Sequence, residues 1–386
     1  MNVAVFGGSF DPVHIEHIRC ARAAIESLRL DKLIIMPAHT PPHKPGKILS
    51  SDSDRLEMCR LAFADVEKAE VSDYEIARGG TSYTYLTCRH FKEEYPSARL
   101  FWLVGTDMLR DFPSWKEPQF ILKDATLAVC GRTETDGWIE QEQKAFKEKF
   151  GVSFAVVDYN GADVSSTKIR VLAGAGVRLT GITPDSVAEY IHEKGLYRIE
   201  NAEKALGLEK PKRQEHSLRV AQVAAKRAVQ LRLSERKAIT AALFHDCAKY
   251  LAPDSPYLKG FSLPTQWGDV PKEVAHQFAG AYVAEHTFGV TDEEILDAVR
   301  YHTSGRPEMG EIEKLVFLAD MIEEERRYEG VEILRELFWK GDSVDECLTE
   351  ALRQTLEFLK TKKEDIYPLT KQAYEYYAAR QNKKCE

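Results

Sequence analysis

The sequence lacks any apolar run long enough to span a bilayer, and Met1-Asn2 leads straight into a short apolar segment rather than a signal peptide. It also lacks a basic excess: 53 Lys and Arg face 61 Asp and Glu, and the net charge of −8 argues against a nucleic-acid footprint. The seven cysteines include no Cys-x-x-Cys pair, so we expect reduced thiols. These absences predict a cytoplasmic protein that binds neither membranes nor nucleic acid.

The chain also has no internal repeat, no low-complexity segment and no Gly/Ser linker. Its 386 residues exceed a usual single core, which predicts two domains, 1–198 and 199–386. In the first domain, amphipathic stretches alternate with short apolar runs, at 3–6, 32–36, 100–104, 126–130 and 153–157. This alternation predicts an α/β fold, a parallel sheet with helices on both faces and ligands at the carboxyl ends of its strands.

After residue 198 only helical spacing is found, which predicts an all-α second domain. The stretch 250–272 holds four prolines and is expected to be a long loop, a candidate lid over a site.

The most informative segment is Gly7 to His17, Gly-Gly-Ser-Phe-Asp-Pro-Val-His-Ile-Glu-His, directly after the first apolar run. Gly7 and Gly8 let the backbone approach a phosphate closely. His14 and His17, three residues apart at a helix start, face the same side where free amides attract anions. A strand, a glycine turn and paired imidazoles together predict a triphosphate cradle.

Residues 7–17 resemble the signature of the His-x-x-His nucleotidylyltransferases, which implies their Rossmann-like α/β fold. The chain is similar to the bacterial nicotinate-nucleotide adenylyltransferases over most of residues 1–197. Four further segments carry this resemblance: 37–44 (Pro-Ala-His-Thr-Pro-Pro-His-Lys), 78–84 (Arg-Gly-Gly-Thr-Ser-Tyr-Thr), 105–115 (Gly-Thr-Asp through Trp) and 164–170 (Val-Ser-Ser-Thr-Lys-Ile-Arg). The resemblance implies transfer of AMP from ATP, carrying Mg²⁺, to nicotinate mononucleotide.

The family implies a role for each matching residue. Catalysis falls to His14, His17, Lys44 and Arg170. The ATP contacts are Gly7, Gly8, Ser9, Phe10, His14, His17, Gly105, Asp107, Ser166, Thr167 and Arg170. The nicotinate-nucleotide contacts are Lys44, Thr81, Ser82, Tyr83 and Trp115, although plain core packing is an alternative for the two aromatic residues.

The second half carries four histidines and two aspartates spread over separate predicted helices: His216, His245, Asp246, His276, His302 and Asp320. Adjacent His245 and Asp246 place two ligands on one turn, and the aspartate is able to bridge two ions. Mixed nitrogen and oxygen ligands favour two divalent ions, Fe or Mn, with Zn as an alternative.

The context of these residues resembles the HD-domain phosphohydrolases, and most closely the symmetrical diadenosine-tetraphosphate hydrolases, over residues 200–375. Phe244 through Lys249 (Phe-His-Asp-Cys-Ala-Lys) and Arg300 through Pro307 (Arg-Tyr-His-Thr-Ser-Gly-Arg-Pro) carry much of the likeness. It implies hydrolysis of diadenosine tetraphosphate to two ADP, with Asp246 catalytic and Lys249 and Arg306 meeting substrate phosphate. A surface lysine is the alternative for Lys249.

Four features depart from these patterns or lie outside them. Glu16 stands where the first family often has glycine, and its carboxylate would repel ATP unless it points away. Gln277-Phe278 replaces a common Gly-Pro and is expected to reshape the mouth of the second site. His286 has no place in the ligand pattern, and the run 323–327 (Glu-Glu-Glu-Arg-Arg) is expected to be a solvated helix end.

Three alternatives stay open at this point. The first domain could serve another phosphate acceptor such as phosphopantetheine. The helical domain could hydrolyse guanosine tetraphosphate, or it could sense nucleotides without turnover. The sequence leaves the oligomeric state open.

Overall fold

The computed structural model describes residues 1–42, 49–131, 138–162 and 164–382. The first part of the chain builds a six-stranded sheet in the order β3-β2-β1-β4-β5-β6. Every neighbouring pair of strands is parallel. The strands are β1 (Asn2–Gly8), β2 (Lys32–Pro37), β3 (Ala69–Val71), β4 (Arg99–Gly105), β5 (Thr126–Gly131) and β6 (Ala155–Asp158). The five predicted strands are present, and the short β3 was not predicted.

Helices connect the strands and continue beyond them. Those up to residue 194 are α1 (Ile15–Ser27), α2 (Asp52–Phe63), α3 (Tyr74–Arg78), α4 (Thr84–Glu94), α5 (Thr106–Asp111), α6 (Pro118–Asp124), α7 (Trp138–Phe150), α8 (Ser166–Gly174) and α9 (Asp185–Lys194). The later ones are α10 (Ala202–Leu206), α11 (Pro211–Gln230), α12 (Glu235–Phe244), α13 (Lys272–His286), α14 (Glu293–Arg300), α15 (Glu311–Ile322), α16 (Val331–Trp339), α17 (Asp345–Lys362) and α18 (Pro368–Asn382).

The strand order places a topological switch point between β1 and β4. The chain leaves β1 toward β2 on one side and returns to pair β4 on the other. In parallel sheets, ligands bind at such a point, beyond the carboxyl ends of the strands. Gly8 and Gly105 end these two strands, so the predicted phosphate turn and the Gly105–Asp107 segment meet at one edge of the sheet.

The described residues after 196 contain no strand, which confirms the predicted all-α character of the second part. Small side chains such as Ala221, Ala224 and Ala242 are fully buried and let its helices pack closely. Between α12 and α13 only a short 3-10 turn, Pro256–Leu258, interrupts the predicted long loop. Of the helices in the described ranges, none combines the length and apolar character that crossing a membrane requires.

The chain forms two compact units, one of residues 1–169 and 178–196 and the other of residues 170–177 and 197–386. Each unit has its own apolar core. The predicted boundary at 198/199 stays a prediction, because the second unit also takes in the end of α8.

Candidate functional sites

The turn after β1 is shaped by close packing around its glycines. A Cβ on Gly7 would lie 2.6 Å from the Cζ2 atom of Trp102 on neighbouring β4, so a side chain there would clash. Phe10 has a φ of 45° and is buried, with its ring 5.0 Å from that of His17. Phe10 therefore packs beneath the histidine pair, and only its backbone is left to contact ATP.

The two histidines are held together at the start of α1. His14 is the N-cap, and its backbone N–H donates to Nδ1 of His17 at 3.1 Å. Because Nδ1 of His17 accepts, its ring proton lies on Nε2, in the tautomer that can donate to a phosphate. The rings stack 3.7 Å apart, and burial lowers the pKa of His14 to about 4. The pair therefore presents neutral imidazoles at physiological pH.

Glu16, the departure between these histidines, has a carboxylate that three neighbouring groups engage. Its carboxylate accepts hydrogen bonds from the Tyr159 hydroxyl and, at 2.8 Å, from the Ala162 N–H, and it forms an ion pair with Arg19 at 2.7 Å. Although burial opposes ionisation, these partners lower the pKa of Glu16. The carboxylate is thus ionised and engaged by its own neighbours, and its predicted effect on a bound triphosphate stays a prediction.

The other predicted ATP contacts reach the same end of the sheet. Ser166, the first residue of α8, donates through Oγ to the carbonyl of Pro12 at 2.9 Å, which ties this helix start to the phosphate turn. Asp107 is exposed, and its side chain folds back over Gly105. A Cβ atom on Gly105 would lie 2.6 Å from Oδ1 of Asp107. Arg170 is different, because its guanidinium forms an ion pair with Glu235, with Nε 3.2 Å from Oε1. A phosphate would have to compete with that carboxylate.

The predicted nicotinate-side segments are joined by backbone pairing. Thr40 and Thr81 form a parallel bridge, and the N–H of Ser82 donates to the carbonyl of Thr40 at 2.9 Å. The Ser82 hydroxyl in turn accepts from the His39 N–H at 2.9 Å. Lys44, expected to act here, lies outside the described residues.

The two aromatic residues predicted beside the pyridine differ in setting. Trp115 is buried in the apolar core against Phe112, which fits the alternative prediction that it packs in the core. Tyr83 is half-buried, with the ammonium of Lys116 4.6 Å from its ring centroid. Tyr83 is therefore the better placed of the two to meet a substrate.

The second unit brings all six predicted metal ligands together. His216 lies on α11, His245 and Asp246 follow α12, His276 lies on α13, His302 follows α14, and Asp320 lies on α15. Their donor atoms form three overlapping groups, each within 4.8 Å: His216, His245 and Asp246; His245, His302 and Asp320; and Asp246, His276 and His302. Overlapping groups of this kind are what two adjacent ions require.

Asp246 is the centre of the cluster. Its Oδ1 lies 3.1 Å from Nε2 of His276 and 3.5 Å from Nε2 of His302, while its Oδ2 lies 3.4 Å from Nε2 of His245. At the other end, Nε2 of His216 is 2.8 Å from Oδ1 of Asp320. The two oxygens of the fully buried Asp246 therefore face different histidines, as those of a bridging carboxylate would.

The protonation of the cluster also fits a metal. Nδ1 of His245 lies 2.6 Å from the carbonyl of Ala242, and Nδ1 of His302 lies 2.8 Å from that of Val299, so Nδ1 carries the proton and Nε2 is the ligand atom. The Nε2 atom of His245 is buried and makes no hydrogen bond within the described residues, and that of His216 faces the carboxylate of Asp320 at 2.8 Å. Burial lowers the pKa of His276 to about 4, which keeps it neutral. These inward-facing nitrogens, together with the buried carboxylate of Asp246, are consistent with metal binding.

Cations border the cluster, including one that the sequence did not single out. Arg213, on α11, lies 3.0 Å from Oδ2 of Asp246, and Nζ of Lys249 lies 3.1 Å from both of its oxygens. Arg306 instead binds Glu313 through two hydrogen bonds of 2.6 and 2.8 Å, so its predicted phosphate contact would require exchange of that partner. No sequence signal distinguishes Arg213 from the other basic residues of its helix.

Gln277 pins the segment after His302. Its amide oxygen accepts from the N–H groups of Thr303 and Ser304, both at 3.0 Å, and its nitrogen donates to the Ser304 hydroxyl at 2.9 Å. Phe278 packs in a separate apolar cluster with Tyr367. Gln277 therefore ties the helix of one ligand, His276, to the turn of another.

The expectation of a solvated helix end over 323–327 is wrong for Glu323 but holds for Glu324, Glu325 and Arg327, which are exposed, and the expectation for His286 is confirmed. Glu323, expected on a solvated helix end, is buried, because it binds Nδ1 of His216 at 3.1 Å and Nε of Arg219 at 2.6 Å. His286 is exposed and stacks on Tyr282, outside the ligand cluster as expected.

Comparison with known proteins gives matches to both parts of the chain. A family described as cytidylyltransferase-like matches residues 5–172, and the HD domain family matches residues 213–325. A Mycoplasma genitalium protein named "probable nicotinate-nucleotide adenylyltransferase/Ap4A hydrolase" is 30% identical over 341 residues, which cover 86% of this chain and 91% of that protein.

Two further matches each cover about half of the chain. A Clostridium tetani protein named "probable nicotinate-nucleotide adenylyltransferase" is 36% identical over 196 residues, 50% of this chain and 98% of that protein. A crystal structure from Clostridium acetobutylicum, described as a predicted HD superfamily hydrolase involved in NAD metabolism, is 29% identical with a TM-score of 0.42, covering 46% of this chain and 95% of that chain.

Proposed function

This chain belongs to the family of two-domain enzymes that join a nicotinate-nucleotide adenylyltransferase to an HD-domain hydrolase, and from that premise we propose what each site acts on. The first transfers AMP from ATP to nicotinate mononucleotide, giving deamido-NAD and pyrophosphate. The second hydrolyses diadenosine tetraphosphate to two ADP. The relative from Mycoplasma genitalium carries both activities in its name and aligns along 86% of this chain.

The adenylyl transfer is carried by the neutral histidine pair at the switch point. A phosphate oxygen of nicotinate mononucleotide attacks the α-phosphorus of ATP, and the bond from that phosphorus to the leaving pyrophosphate breaks. His14 and His17 donate to phosphate oxygens as charge develops, and the amides at the start of α8 add donors near Ser166 and Thr167. Lys44 and Arg170 complete the triphosphate contacts, and Mg²⁺ arrives with ATP. Asp107 contacts the adenosine.

The acceptor is recognised on the edge formed by Thr40, Thr81 and Ser82. The bridge between these segments fixes the backbone that surrounds the pyridine. Tyr83 offers a half-buried ring for stacking.

The hydrolysis is carried by the shared carboxylate of Asp246. His216, His245, Asp246, His276, His302 and Asp320 hold two divalent ions, Mn or Fe. Such ions, when bound, stabilise phosphate charge and activate water. Lys249 and Arg213 lie against Asp246 and place positive charge where the tetraphosphate enters. Water attacks one of the two central phosphorus atoms, and the bond from that phosphorus to the bridging oxygen breaks. The bridging oxygen leaves with the other half, so both products are ADP.

The test is chromatography of products after the full chain is incubated with diadenosine tetraphosphate and Mn²⁺ or Fe²⁺. Asp246→Asn, which keeps the volume and loses the charge, is assayed beside it. We expect ADP alone from the wild type and none from the variant, while both proteins make deamido-NAD at equal rates. Adenylyl transfer thus controls for the integrity of the variant. ATP and AMP as products would contradict symmetrical cleavage, and no turnover with any ion would leave a sensing role.

A further inference from the structure

One buried carboxylate outside the ligand set is directed at a ligand. Glu323 directly follows α15, and its side chain is 3% exposed. Its Oε1 lies 3.1 Å from Nδ1 of His216. Its Oε2 accepts from Nε of Arg219 at 2.6 Å and from the N–H of Glu325 at 2.9 Å. Both carboxylate oxygens are therefore engaged, and Glu323 is held where it is rather than able to swing into the cluster.

The ring of His216 lies between two carboxylates of one helix region. Asp320 faces Nε2 at 2.8 Å, and Glu323, three residues later, faces Nδ1 at 3.1 Å. Three residues is nearly one helical turn, so the two carboxylates project from the same face. This spacing fixes both the position and the rotation of an imidazole that belongs to a different helix, α11.

The other two ligand histidines with a described Nδ1 contact are oriented differently. His245 and His302 contact backbone carbonyls three residues earlier, so their rings are set by local chain geometry. The partner of His216 is instead 107 residues away and carries a charge. A carboxylate acceptor polarises the imidazole more strongly than a carbonyl does, and makes its other nitrogen a better ligand.

We propose that Glu323 is a positioning residue for the metal centre: it fixes the tautomer and orientation of His216 and strengthens Nε2 as a ligand, with Arg219 anchoring it from the other side. The inference depends on the metal-binding part of the proposed function. It goes beyond that function because Glu323 touches neither ion nor substrate. The affinity for the ion held by His216 and Asp320, at one end of the cluster, nevertheless depends on it.

The experiment measures Mn²⁺ binding to the chelator-stripped full chain, by the electron paramagnetic resonance signal of free Mn²⁺. Glu323→Gln keeps the shape and removes the charge, and Glu324→Gln, at the exposed neighbouring position, is the matched control. We expect the affinity for one of two ions to fall about 10- to 100-fold in Glu323→Gln and to be unchanged in the control. Arg219→Gln, which frees the carboxylate from its anchor, is expected to give a smaller loss at the same ion.

The outcomes separate the two proposals. Equal Mn²⁺ affinity in wild type and Glu323→Gln overturns the positioning role and leaves the hydrolase proposal standing. A wild type that binds no ion overturns both. If Glu323→Gln lowers the unfolding temperature of the stripped protein but binds both ions normally, Glu323 only stabilises the helix end, and the inference fails.

Discussion

The buried guanidinium of Arg55 donates a 2.9 Å hydrogen bond to the backbone carbonyl of Ser9, in the turn after β1. The same side chain donates to the carbonyl of Ser50 at 3.2 Å and forms an ion pair with Asp52. The second oxygen of Asp52 lies 2.5 Å from Nδ1 of His39. One arginine therefore links the phosphate turn to the segment that meets Ser82.

Replacing Arg55 by lysine removes the planar fork that reaches these partners together, so we expect kcat/KM for adenylyl transfer to fall about tenfold or more. Arg60→Lys, on the same helix but with a largely exposed side chain, is expected to leave the rate unchanged. Steady-state assays of deamido-NAD formation measure both, and hydrolysis by the same proteins provides an internal standard. Equal rates in the two variants would mean that Arg55 serves stability alone.

His17→Ala removes the Nε2 donor at the start of α1. We expect kcat for adenylyl transfer to fall by about 10²–10³, the usual loss for one donor that stabilises transition-state charge. His192→Ala, an exposed histidine on α9, is the control. If KM for ATP rises while kcat is kept, His17 contributes ground-state binding rather than transition-state stabilisation.

Lys249 and Arg306 are both expected to meet substrate phosphate, but the structure places them differently. Lys249 borders Asp246, so Lys249→Ala should lower kcat/KM for hydrolysis about ten- to a hundredfold at saturating Mn²⁺. Arg306→Ala should change it less than about threefold, while costing about 2–3 kcal/mol of stability because the buried carboxylate of Glu313 loses its charged partner and keeps only the Gly310 N–H. Assays of hydrolysis and thermal unfolding separate the two effects, and a larger kinetic loss in Arg306→Ala would reverse this assignment.

Glu209 predicts a pH dependence of stability. Burial, together with the nearby charge of Asp246, raises the pKa of Glu209 to about 8. The hydrogen bond from the Ser217 hydroxyl acts in the opposite direction but is the weaker effect. Because the folded pKa is raised, its favourable contribution is complete below about pH 4.5 and is lost as the pH rises through 8. Glu209→Gln should therefore gain stability relative to wild type as the pH rises from 5 to 8, by at most about 1.4 kcal/mol per pH unit, and the difference should level off above pH 8.

Urea unfolding of the chelator-treated protein at several pH values measures this difference. Glu273→Gln, at an exposed position on α13, should show no such trend. A constant gap between Glu209→Gln and wild type across this range would show that Glu209 does not titrate there.

The sequence predicted features that depend on local patterns and missed those that depend on distant partners. The parallel strands follow from apolar runs, but β3 has only three residues with Glu70 at its centre, too few to give a signal. The six predicted metal ligands follow from the motif pattern, and the structure brings their donor atoms together in overlapping groups. Glu323 was misassigned because a run of charged residues normally faces solvent. Here one of them is buried, since it contacts His216, which is 107 residues away in the sequence.

The sequence also did not predict which side chains of the first site are buried. Phe10 and Trp115 belong to matching segments, yet both are buried, since the core of a parallel sheet takes up large aromatic side chains near its ends. Arg55 looks like any arginine on an amphipathic helix, and only the fold brings Ser9 to it.

The composition of the compact units bears on how the two activities can be studied apart. Val171, in α8, and Ala175, just after that helix, pack in the apolar core of the second unit, although residues 178–196 belong to the first unit. Cutting the chain once near residue 198 would remove these two buried side chains from the core of the C-terminal fragment. They would remain on the N-terminal fragment as exposed apolar residues. Point substitutions in the intact chain therefore separate the two activities more reliably than truncation does. If an isolated C-terminal fragment lost hydrolysis, the cause would be its incomplete apolar core and not the loss of catalytic residues.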